Sequence, residues 1–167
     1  MDKQLELRNE IDDIERAYKK FKKKSNALIG NIIIAHLGII FLIIKEVLDV
    51  LKTSYSNSST FGSIVLTSIL PLIFILAGGL AALILSIIIP TKYGRIYGQI
   101  SSTPTVLIIL GIFILTIILT PIGLSIASSN FKKLIKDKQN ELLNIQYMQS
   151  NFVNNQNSTP LNNPSQS

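Results

Sequence analysis

One side chain in the apolar stretches of this 167-residue chain could move a proton: His36, its only histidine. An ionisable group at membrane depth marks a functional position by default, as a proton relay or a ligand contact. A relay needs titratable neighbours, and the three apolar stretches defined below hold no Asp, Glu, Lys or Arg. The favoured reading is a neutral imidazole bonded to Asn31, a hydroxyl or a backbone carbonyl. The chain has no cysteine, which removes thiol chemistry, disulfides and cysteine metal sites. Catalytic, cofactor and metal residues are expected to be none, because general acid–base work needs positioned titratable pairs.

Three further patterns carry chemistry. Tyr93-Gly-Arg-Ile96 and Tyr97-Gly-Gln-Ile100 have the Tyr-x-x-Φ spacing of a sorting signal, although interfacial tyrosines between basic anchors are the favoured reading. The glycines here make no phosphate loop, since no strand precedes them and no Gly-Lys-Ser/Thr follows. Asn57-Ser58-Ser59 and Asn157-Ser158-Thr159 are glycosylation sequons, with Pro160 weakening the second.

The elements that position these residues follow from hydropathy. No charged residue lies between Lys52 and Lys92, or between Arg95 and Lys132, and charged residues are only 16% of the chain. A soluble fold would have to bury both stretches completely, whereas lipid accounts for them directly. The expected fold is an all-α membrane protein with three transmembrane helices, 27–44, 64–89 and 105–128, in a membrane domain covering 27–128. Pro71 and Pro121 should kink the second and third spans. The first span begins behind too many acidic residues to read as a cleaved signal. Residues 129–153 should form a polar helix, and 154–167, rich in Asn, Ser and Gln, a disordered tail.

Before the first span, residues 1–26 form a cytoplasmic amphipathic segment. Leu7, Ile11, Ile14, Tyr18 and Phe21 recur at four, three, four and three residues, a coiled-coil-like seam that could hold a partner helix, lie on the membrane or fold back on its own bundle. Lys19, Lys20, Lys22, Lys23 and Lys24 follow as a juxtamembrane cluster. They set topology, and they could also hold anionic lipid headgroups at about 1 kcal/mol each. In the second span Ala77/Ala81 and Gly78/Ala82 are overlapping small-xxx-small pairs, and Gly123/Ala127 repeats the spacing in the third.

With three crossings, the N-terminus and second loop carry ten Lys and Arg against six on the other side, so the N-terminus is expected in the cytoplasm. Both sequons then share the opposite side. The four lysines from Lys132 to Lys138 fit this arrangement badly. The sequon pair and the Asn/Ser/Gln bias point towards a eukaryotic endomembrane or plasma membrane. The expected partners are the bilayer and either a membrane or coiled-coil protein or a second copy, with no nucleic acid. The function expected is a non-enzymatic interaction, assembly or trafficking factor. The alternative is an oligomeric channel or small transporter subunit.

Overall fold

The computed structural model describes residues 2–53, 61–113 and 116–157. These are helical throughout except for the link 98–102, with α1 at Asp2–Thr53, α2 at Phe61–Tyr97, α3 at Thr103–Phe113 and α4 at Thr116–Asn157. No proline falls within α1, so the amphipathic segment and the first span merge into one helix of 52 residues. At about 1.5 Å per residue it is roughly 78 Å long.

Helix α2 runs antiparallel to α1, and two glycines show how closely. A Cβ on Gly38 would lie 2.9 Å from the Pro71 carbonyl oxygen, and one on Gly78 would lie 2.9 Å from the Asn31 oxygen and 3.0 Å from the Ala35 nitrogen. Backbone meets backbone at both points, which only residues without side chains permit. Helix α2 also continues through Pro90, which the sequence places at the start of a loop, as far as Tyr97. Pro90 removes one helix hydrogen bond, that to the Ser86 carbonyl, and the next residue adds side-chain bonds to the same turn: the Thr91 hydroxyl donates to the carbonyls of Ile87 and Ile88 at 2.9 and 3.0 Å.

The link to α3 is short. Gly98 N donates to the Gly94 carbonyl at 2.9 Å, and Ser101 Oγ accepts from Thr103 N at 3.2 Å where α3 begins. Pro104 lies in the first turn, where no helix bond is lost.

The expected single helix over 105–128 is instead two helices packed side by side. A Cβ on Gly111 would overlap the Thr120 hydroxyl, and one on Gly123 would come within 3.1 Å of the Ile108 nitrogen. Residue numbers rise along α3 as their partners on α4 fall, so the two helices run antiparallel. The physical reason is the small-residue contact: Gly111 and Gly123, together with fully buried Ala127, let the two helices close on each other.

Helix α4 then continues beyond its contact with α3 and pairs with the first half of α1. Tyr18 Oη lies 3.0 Å from Ser128 Oγ, Lys138 Nζ lies 3.0 Å from Glu10 Oε2, and Gln4 donates to Gln149 at 2.7 Å. These contacts make an antiparallel two-helix stalk. The helix also persists through Asn157, so 154–157 belong to it and not to a disordered tail. The remaining residues of that tail, 158–167, and Asn57 with its loop lie outside the described residues.

Candidate functional site

Where the stalk joins the rest of the molecule, five rings from three helices meet. Phe21 of α1 lies 5.8 Å from Tyr93 and 6.0 Å from Tyr97 of α2, and 5.1 Å from Phe131 of α4, centroid to centroid. Tyr18 closes the cluster at 5.5 Å from Phe131, and Tyr97 lies edge-on to Phe131 at 5.9 Å. Offset and edge-to-face pairs of this kind each add about 0.5–1.5 kcal/mol beyond the area they bury. Phe21, Tyr97 and Phe131 are at most 1% exposed. Both tyrosines of the Tyr-x-x-Φ patterns are buried here, within a helix, which leaves neither ring open to an adaptor.

Polar bonds pin the node to α3 and to the end of α2. Thr105 Oγ1 donates to Tyr97 Oη at 3.1 Å. Buried Asn130 donates from Nδ2 to the carbonyls of Tyr97 and Ser101 at 3.2 and 3.5 Å. The last carbonyls of a helix have no partner within it, and that of Tyr97 accepts from the Asn130 amide as well as from Ile100 N at 3.4 Å. Sequence reasoning passed over Asn130 because it follows a span and resembles linker. The one available signal was an amide between the apolar Ala127 and Phe131.

The node also fixes a level on the molecule, and basic residues ring it. Lys19, Lys20, Lys22 and Lys23 of α1, Lys92 and Arg95 of α2, and Lys132 and Lys133 of α4 are all exposed, with Lys24 half-buried. Each lies within a few residues of a ring that touches Phe21 or Phe131. The α1 lysines singled out from sequence are thus one arc of a collar drawn from three helices.

On the stalk side of this collar, Leu7, Ile11 and Ile14 are buried and Tyr18 is half-buried, and the same seam ends at buried Phe21 in the node. Of the three arrangements open to this seam, the structure shows it folded back against α4 of the same chain. Lys138 occupies a half-buried seam position, where hydrogen bonding and attraction from Glu10, and to a lesser degree Glu141, hold its ammonium above the usual lysine range.

On the other side of the collar the outward surfaces turn apolar. Ile33, Leu37, Ile40 and Phe41 of α1, with Leu72, Leu76 and Leu80 of α2, are about half exposed or more. The hairpin does the same with Val106, Ile109 and Leu110 on α3 and Ile117, Ile118 and Ile122 on α4. Helices α1 and α2 contain segments long and apolar enough to cross a membrane, and only 22% of those segments is buried, unlike the core helix of a soluble domain.

The small-residue pairs of α2 divide. Gly78 and Ala82 are buried, Gly78 directly against α1, whereas Ala77 is exposed and Ala81 half-buried. His36 is half-buried and its Nδ1 lies 2.7 Å from the Ile32 carbonyl one turn back, so it meets backbone and not Asn31. Comparison with protein-family models, with curated proteins and with solved structures finds no match.

Proposed function

We propose that this chain crosses a bilayer twice, through α1 and α2, and dips α3 and the start of α4 into one leaflet as a re-entrant hairpin. The eleven residues of α3 reach only about 16 Å, roughly half the 30 Å needed to cross. Charge supports the same topology. With two crossings, the N-terminal segment, the end of α2 and the C-terminal segment share one side and carry eight, two (Lys92 and Arg95) and four basic residues, against Lys45 and Lys52 alone opposite. Fourteen against two is a far stronger positive-inside bias than ten against six, and it puts the stalk in the cytoplasm. The lysines that a third crossing would strand outside then lie beside the anionic cytoplasmic leaflet.

Within that topology the chain acts as a non-enzymatic membrane interaction factor, holding a partner on a stalk of fixed reach. The observation that carries this is the continuity of α1. Its residues 2–18 project about 25 Å beyond the collar as one helix with the first span, braced by α4. A partner would meet the outer side of the stalk, where Leu143, Tyr147, Met148 and Phe152 are each more than 60% exposed outside any lipid-facing level. Leu143→Asp combined with Tyr147→Asp should abolish recovery of the partner by cross-linking in native membranes, while helix content and membrane insertion stay unchanged. Equal recovery would count against the stalk as the binding element. Solute flux in proteoliposomes that His36→Leu abolishes would favour the channel reading instead.

A further inference from the structure

Below the tip of the hairpin four helices lie side by side, and above it only two. Thr105 is bonded to Tyr97, and from there α3 continues eight residues to Phe113, about 12 Å. Helix α2 continues from the same Tyr97 back to Phe61, about 54 Å. The hairpin packs on the lower part of α2: Ile108, Leu124 and Ala127 share one buried cluster with Ala82, Ile89 and Tyr93. Its outward residues Val106, Ile109, Ile117 and Ile118 are exposed and apolar, so these two extra helices add cross-section inside the hydrocarbon and not beside it.

From this asymmetry we infer a second activity, that of a wedge in the bilayer which generates or seeks membrane curved towards the stalk side. The inference rests on the two-crossing topology proposed above. A helix with its side chains is about 10–12 Å across, so the hairpin adds on the order of 200 Å² to one leaflet with no counterpart in the other. A membrane bowed outward on the stalk side has more area in that leaflet and relieves the mismatch. The ligand is therefore the bilayer itself, recognised by its shape. The collar of lysines sits at the base of the wedge and would hold anionic headgroups there, but the shape term does not depend on charge.

The test uses the full-length chain in giant vesicles of neutral phosphatidylcholine, which removes the electrostatic contribution. The chain has no cysteine, so Ser150→Cys gives one exposed labelling point on the stalk. A membrane-impermeant fluorescent maleimide then marks only molecules with the stalk outward, and a narrow tube is pulled outward from the vesicle. The labelled protein should be enriched in the tube over the flat membrane by about threefold, the size of shift a modest shape preference produces. Equal density, or depletion from the tube, would overturn the wedge. A Lys3→Cys variant, compared with Ser150→Cys in intact membranes of uniform orientation, serves as the control for topology. Labelling of Lys3→Cys and Ser150→Cys from the same face, with no enrichment, defeats the wedge alone; labelling from opposite faces defeats the topology and the wedge with it.

Discussion

Two neighbouring glycines in α2 have opposite roles. A Cβ on Gly78 would press against the backbone of α1 at Asn31 and Ala35, whereas one on Gly79 meets nothing within 4 Å. Gly78→Ala should therefore force the helices apart and cost about 1–3 kcal/mol, the usual range for overpacking. Gly79→Ala should gain about 0.5–1 kcal/mol from reduced backbone freedom. Denaturation in detergent micelles, followed by helix signal, would check both; equal shifts would mean that Gly78 does not face α1. The pairing of Gly78 with Ala82 was legible from spacing alone, but spacing could not separate it from Ala77 with Ala81. Which of two overlapping pairs is used depends on the rotation of α2 about its axis. That rotation is set by Gly38 and Pro71 opposite, a contact between residues far apart in sequence.

At the scale of elements, what could be read followed from what has a period. The α1 seam was visible because Leu7, Ile11, Ile14, Tyr18 and Phe21 are all apolar or aromatic at heptad spacing. Its partner was hidden because α4 presents Phe131, Leu134, Lys138, Leu142, Ile145 and Gln149, a similar spacing with a lysine and a glutamine inserted. Lys138 reads as surface until Glu10 is brought to it by the fold. The hairpin was hidden for another reason. Hydropathy over 105–128 is the same for one long helix as for two short ones, and Ile114 and Leu115 are not helix breakers. The misplaced lysines after Asn130 were the only trace of it. Glycosylation tests the consequence. In a host that modifies sequons, one inserted in the loop that holds Asn57 should be modified, while Asn157 should not be, since it ends a helix on the same side as the N-terminus. Modification at Asn157 would restore the third crossing.

Across the whole molecule, the aromatic node divides two environments. Apolar surface faces outward on one side of the collar, and a hydrogen-bonded, ion-paired stalk extends on the other. The described residues at both ends, the start of α1 and the end of α4, lie in that stalk, and both the basic collar and the wedge proposed above follow from the same return of α4. The account therefore depends most on which side of the membrane α4 occupies. Three single-cysteine variants in intact, uniformly oriented membranes decide it: Lys3→Cys, Ser56→Cys and Ser150→Cys, each exposed to an impermeant maleimide before and after permeabilisation. The account predicts that Lys3→Cys and Ser150→Cys share one pattern and that Ser56→Cys shows the opposite one. Opposite patterns for Lys3→Cys and Ser150→Cys would contradict it.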